Sequence, residues 1–109
     1  MCGYVGFINS DIVTKEPVIK KMMDRIIHRG PDSEGVYIDD HVAIGFRRLS
    51  IIGLEDGMQP IFNEDKSLVL FFNGEIYNYQ LLKQDLIKQG HVFYTHSDSE
   101  VLIHLYEQY

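Results

Sequence analysis

An α+β domain is the fold class this sequence predicts, on three observations. Five segments of strand length, at about 3–9, 34–39, 42–47, 68–72 and 91–95, carry their apolar residues in short runs. Three longer segments, near 17–27, 79–89 and 97–109, repeat apolar residues at helical spacing. The chain has 109 residues, 45% of them hydrophobic and 24% charged, which suits one globular domain and argues against disorder.

The first strand, at 3–9, is interrupted by Gly3 and Gly6, which suggest close backbone approach. Ile19, Met22, Met23, Ile26 and Ile27 give the first helix its stripe; Pro17 suits its first turn and Gly30-Pro31 stops it. Asp39-Asp40 marks a turn between the strands at 34–39 and 42–47. From Ser50 to Asp65, Gly53, Gly57, Pro60 and Asn63 read as one long loop, of the kind that is often functional. Leu68 to Phe72 is wholly apolar and too short for a helix, so it reads as a strand covered on both faces. The second helix ends at Gly90, a C-terminal glycine, and a short strand at 91–95 follows. Ser97 and Glu100 have capping-box spacing ahead of a stripe of Val101, Leu102, Leu105, Tyr106 and Tyr109. That stripe meets no stop signal, so the chain is expected to be the first part of something longer.

Charge and composition exclude several functions. Sixteen acidic against ten basic residues give a net charge of -6, the wrong sign for a nucleic-acid binder. The longest apolar run is five residues, 68–72, whereas a membrane helix needs ~20. The apolar start lacks a basic leader and a cleavage site, so a cytoplasmic protein without a signal peptide is expected. The histidines form no metal signature: His104 shares a helix face with Glu100 and Glu107, and that face reads as solvated. Gly3-Tyr4-Val5-Gly6 lacks the lysine and spacing of a phosphate loop.

The lone cysteine, Cys2, cannot form an internal disulfide. A small residue starting a strand is its plain reading. Position 2 adds another. Removal of Met1 leaves a thiol and a free α-amine on one carbon, and an α-amine of pKa ~7.7–8.0 is a competent proton acceptor. One residue then supplies both nucleophile and base.

Five blocks extend this reading. Met1-Cys2-Gly3-Tyr4-Val5-Gly6-Phe7 resembles the opening of class II (N-terminal-nucleophile) glutamine amidotransferases. His28-Arg29-Gly30-Pro31-Asp32, Arg48-Leu49-Ser50-Ile51-Ile52, Phe72-Asn73-Gly74-Glu75-Ile76-Tyr77-Asn78 and His96-Ser97-Asp98-Ser99-Glu100 follow in the order and at the separations of the asparagine synthetase branch. The resemblance implies that residues 1–109 are the N-terminal part of a glutaminase domain. Its fold is an N-terminal-nucleophile hydrolase αββα sandwich about twice this long, within the usual domain range. It implies L-glutamine as substrate and no cofactor in this domain. ATP and Mg belong to a synthetase domain that follows in the family and is absent from these residues. A homo-oligomer is left open.

The resemblance also assigns roles. Cys2 is the nucleophile, and Asn73 with the Gly74 N–H is the oxyanion hole, where one donor is worth ~2.7–4 kcal/mol of barrier. Read alone, Asn73-Gly74 is a hairpin turn. Arg48 takes the glutamine α-carboxylate, which a planar guanidinium matches; Leu49, Ser50, Ile51 and Ile52 line the same site. Arg47, facing the other way, is the alternative and reads as a solvated partner. Asp98 takes the α-ammonium, assisted by Glu75; as a helix-start acid it needs no ligand to explain it. The block 28–32 has a supporting role. Two departures stand out: Phe46 where the branch often has histidine, and Gly53 in place of an aspartate. A second reading, of another class, is an inactive binding or assembly module; a third is a relative with a different ammonia acceptor.

Overall fold

The computed structural model describes residues 2–8, 14–49 and 58–109. Their elements are β1 (Gly3–Ile8), α1 (Lys15–Arg25), a 3-10 turn (Ile27–Arg29), β2 (Ser33–Ile38), β3 (Val42–Arg48), β4 (Ile61–Phe62), β5 (Val69–Leu70), α2 (Tyr79–Lys88) and α3 (Glu100–Gln108). The α+β mixture expected from the sequence is what forms. Strands β1 and β2 flank β3 in an antiparallel sheet, with Gly3 opposite Arg47 and Ser33 opposite Arg48. Strands β4 and β5 pair separately, Ile61 opposite Leu70. Among the described residues no helix is long and apolar enough to cross a membrane.

Helix α1 lies on one face of the larger sheet. Its Ile19 and Met23 are buried with Ala43, and Val5, Phe7 and Met22 pack around them. Gly45 admits the methionine: a Cβ there would sit 2.4 Å from Met23 Sδ. At the end of the same face Arg47 is buried and pairs with Asp24 on α1 and Glu34 on β2, each at 3.2 Å. The solvated role expected for Arg47 is therefore wrong. The turn between β2 and β3 is made by Asp39, whose Oδ1 accepts the N–H groups of His41 and Val42 at 2.7 and 2.8 Å. Those bonds, and a third from the Tyr37 hydroxyl, hold the Asp39 carboxyl below its usual range.

Segment 59–72 attaches to the opposite face. A Cβ on Gly35 would lie 1.7 Å from the Gln59 carbonyl oxygen, so only glycine lets that backbone rest on β2. The Phe46 ring, fully in the interior, tilts against Phe71 at 6.4 Å. The Gln59 side chain donates to Phe72 O and accepts from Phe72 N–H, both at 2.7 Å. A side-chain amide thus replaces a neighbouring strand.

Several elements differ from those the sequence predicts. The loop expected from Ser50 to Asp65 contains β4, and its residues 50–57 lie outside the described residues. Asn63 builds the hairpin: its Oδ1 accepts Leu68 N–H at 2.8 Å, while Lys66 takes a positive φ of 60°. The strand expected over 68–72 pairs only at Val69–Leu70 and is half-buried. No strand forms at 91–95, because carboxylates take its donors: Val92 N–H bonds Glu64, and Tyr94 and Thr95 N–H bond Glu100. Glu100 therefore reaches back past Ser97, and α3 begins at Glu100 itself. The capping box expected from Ser97 and Glu100 does not form: Ser97 Oγ accepts Ser99 N–H at 3.2 Å in a local turn ahead of the helix. Helix α3 buries Glu100, Val101, Ile103 and His104, with Glu100 and His104 at 0% exposure. The face read as solvated is interior at Glu100 and His104 and exposed at Glu107, while Tyr106 and Tyr109 of the expected stripe are exposed. Gly90 behaves as expected. Its φ is +99°, with Gly90 N–H bonding Ile87 O and His91 N–H bonding Leu86 O, a Schellman ending.

Candidate active site

Cys2 precedes β1, and the register that sets Gly3 opposite Arg47 carries it alongside Arg48. Its half-buried sulfur accepts the Leu49 N–H at 3.3 Å and lies 3.8 Å from Leu49 O. The chain immediately after β3 therefore holds the thiol. From the other side, Asn73 Nδ2 donates to the Cys2 carbonyl oxygen at 2.9 Å, across 71 positions of sequence. Asn73 and Gly74 follow β5 and the Gln59-anchored Phe72 and lead into α2. They make no hairpin, so the turn reading of Asn73-Gly74 is excluded. A Cβ on Gly74 would fall 2.6 Å from the Phe72 ring, which folds over it.

Asp98 sits in the turn ahead of α3, and its Oδ2 accepts Ile76 N–H at 2.7 Å. That bond fastens the start of α3 to the chain just past Glu75, an exposed residue. Arg48 is buried, on the face opposite α1 and Arg47. Block 28–32 holds it from behind. Gly30 presses on the β3 backbone, where a Cβ would be 2.3 Å from the Arg47 carbonyl carbon. Asp32 N–H bonds Arg48 O at 3.1 Å.

The structure thus brings Leu49 and Asn73 each onto Cys2, sets Arg48 one residue before the Leu49 that holds the sulfur, and ties Asp98 to the segment carrying Asn73, Gly74 and Glu75. Ser50, Ile51, Ile52 and Gly53 lie outside the described residues. Sequence reasoning missed Gln59, which fixes Phe72 next to Asn73. Its only local signal is the following Pro60, which biases Gln59 toward an extended backbone.

A half-buried cysteine at the chain's second residue, its sulfur accepting a backbone N–H and its own carbonyl held by a side-chain amide, combines the residue types of an acyl-transfer centre. The model of the glutamine amidotransferase domain family matches residues 1–109, and the chain belongs to that family. It is similar to the N-terminal part of asparagine synthetases. It is 49% identical to the glutamine-hydrolyzing asparagine synthetase 1 of Bacillus subtilis (strain 168), covering 100% of this chain and 18% of the relative. It is 44% identical to a probable asparagine synthetase of Dictyostelium discoideum, covering 98% and 20%, and 40% identical to asparagine synthetase 1 of Arabidopsis thaliana, covering 100% and 19%. The chain spans about a fifth of the length of these relatives.

Proposed function

We propose that this chain is the first part of the glutaminase half of an asparagine-synthetase-type amidotransferase, built on an αββα sandwich. With Met1 removed, the Cys2 α-amine takes the thiol proton and Sγ attacks the glutamine side-chain carbonyl carbon. Negative charge moves onto the carbonyl oxygen, facing Asn73 Nδ2 and the Gly74 N–H. Collapse of the tetrahedral centre breaks the C–N bond; the ammonium of Cys2 returns the proton and ammonia leaves. Water then adds to the thioester, releasing glutamate and restoring the thiol.

Arg48, with Leu49, Ser50, Ile51 and Ile52, binds the substrate's α-carboxylate; Asp98 and Glu75 bind its α-ammonium. A site of fixed polar groups discriminates strongly, since an analogue lacking a partner leaves those groups unpaired. Ammonia is passed to aspartate activated with ATP and Mg in a following synthetase domain, in the cytoplasm. The observation that carries the reading is the joint grip on Cys2, by Leu49 N–H on its sulfur and Asn73 on its carbonyl.

The test is ammonia release from glutamine by protein whose intact mass shows loss of Met1. Activity is expected to vanish in Cys2→Ala and to fall about 100-fold or more in Asn73→Ala, the loss typical of one oxyanion donor. Unchanged release from Cys2→Ala rejects the reading.

A further inference from the structure

We propose that Glu64, His91, His104 and Glu107 form a binding site for a divalent first-row transition metal ion, zinc above all. The site is separate from the Cys2 centre. Each residue offers one ligand atom, and these atoms lie within 4.8 Å of one another. His104 Nδ1 is 3.3 Å from Glu64 Oε1 and 3.2 Å from Glu107 Oε1. His91 Nδ1 is 3.7 Å from Glu64 Oε2 and 3.5 Å from Glu107 Oε1.

The outer nitrogens decide what the inner ones can be. His104 Nε2 is 2.9 Å from Glu100 Oε2, inside a carboxylate that also accepts Tyr94 and Thr95 N–H groups. An acceptor so placed requires the His104 proton on Nε2. His91 Nε2 is 2.9 Å from Gln108 Oε1, again an acceptor. In the neutral form that a metal ligand takes, each imidazole, protonated at Nε2, turns its Nδ1 lone pair toward two carboxylates. Such a group of four electron-rich donors repels itself unless a proton or a metal cation lies among them. His91 Nδ1, on a side chain only 11% exposed, is a buried atom without a hydrogen-bond partner.

The outer contacts are those that orient metal ligands. A carboxylate behind His104, an amide behind His91, Asn63 Nδ2 on Glu107 at 3.1 Å and Val92 N–H on Glu64 at 3.2 Å fix each donor. Two imidazole nitrogens with two carboxylate oxygens suit zinc and its neighbours, whereas calcium and magnesium take oxygen alone. Four protein ligands make a closed, structural site. It joins the β4–β5 turn, the residue after the Gly90 ending of α2, and one turn of α3.

The test is calorimetric titration of chelator-treated protein with Zn2+ near neutral pH, with Co2+ as the spectroscopic probe. One ion per chain is expected, with tetrahedral Co2+ absorption. A melting-temperature rise on the order of 10 °C should appear at a hundredfold excess over Kd. His91→Gln and Glu64→Gln, both at partly exposed positions, should abolish the Co2+ spectrum while the fold survives. Gln108→Ala should weaken affinity by roughly 10–100-fold, the loss typical of an outer partner. The proposal fails if binding survives both His91→Gln and Glu64→Gln. It also fails if no ion binds, whatever the protonation of the two imidazoles.

Discussion

Replacing Gln59 by leucine tests how the Asn73-Gly74 segment is held. The change keeps much of the side-chain volume and deletes an amide that both donates to and accepts from the Phe72 backbone, at 2.7 Å each. Gln59 is 7% exposed, so the amide lost is a buried one. Phe72 is half-buried and follows β5, and among the described strands none pairs with its backbone. Two hydrogen bonds disappear and a buried donor and acceptor lose their partners, which costs about 2–4 kcal/mol. Urea unfolding should show that loss as a lower midpoint with an unchanged slope. Gln59→Glu sharpens the test. One carboxylate oxygen can still accept Phe72 N–H, but the other faces the Phe72 carbonyl and is acceptable only when protonated. The folded state therefore raises that carboxyl's pKa, so the variant's stability is best in acid and is lost as pH rises. On the proposed mechanism ammonia release should fall in both variants, because Asn73, the first proposed oxyanion donor, follows Phe72 directly. A Gln59→Leu protein within about 0.5 kcal/mol of the parent, the range of ordinary surface changes, would refute this account of the segment.

Other outcomes follow from single contacts. Gly30→Ala drives a Cβ to 2.3 Å from the Arg47 carbonyl carbon, and backbone cannot step aside as a side chain would. It should cost about 1–3 kcal/mol and raise the KM for glutamine, since the displaced strand end carries Arg48. Glu100→Gln sets an amide against the donors of Tyr94, Thr95 and His104 at a fully buried position. A loss of about 3–5 kcal/mol by denaturation is expected. Asp39 has a folded pKa below its ordinary 3.8, chiefly through the His41 N–H, then the Val42 N–H and the Tyr37 hydroxyl. Its contribution is present above 3.8 and is lost as pH falls through the lower folded value. The stability gap between Asp39→Ala and the parent should thus close in acid, as measured by melting at stepped pH.

What the sequence disclosed, and what it hid, divides along physical lines. Local signals were sound: the Gly90 ending, the Asp39 turn, the Ile19–Met23 stripe and the paired strands at 33–48 all depend on neighbours in the chain. Misreadings arose where a side chain from afar replaced a local partner. The segment 91–95 has strand-like residues, yet Glu64 and Glu100 carboxylates bind its donors. Glu100 has capping-box spacing, but it caps the preceding segment instead of its own helix. His104 lies on a face that charge alone marks as solvated, while Asn63, Glu64 and His91 arrive from elsewhere to enclose it. Arg47 and Arg48 are adjacent and chemically identical, and the alternation of a strand separates them correctly. Burial of Arg47 became visible only with Asp24 and Glu34 in place. The contacts of Cys2 with Leu49 and Asn73 were within reach of the motif blocks, because a shared family pattern encodes long-range proximity that periodicity does not.

The most direct test of the central proposal is mass spectrometry of Met1-free protein incubated with a glutamine-derived chloroketone, followed by peptide mapping. The account predicts one adduct, on the Cys2 sulfur, formed more slowly as free glutamine is added and absent from Cys2→Ala. An adduct on any other residue, or an unmodified Cys2 in protein that still hydrolyses glutamine, would contradict it.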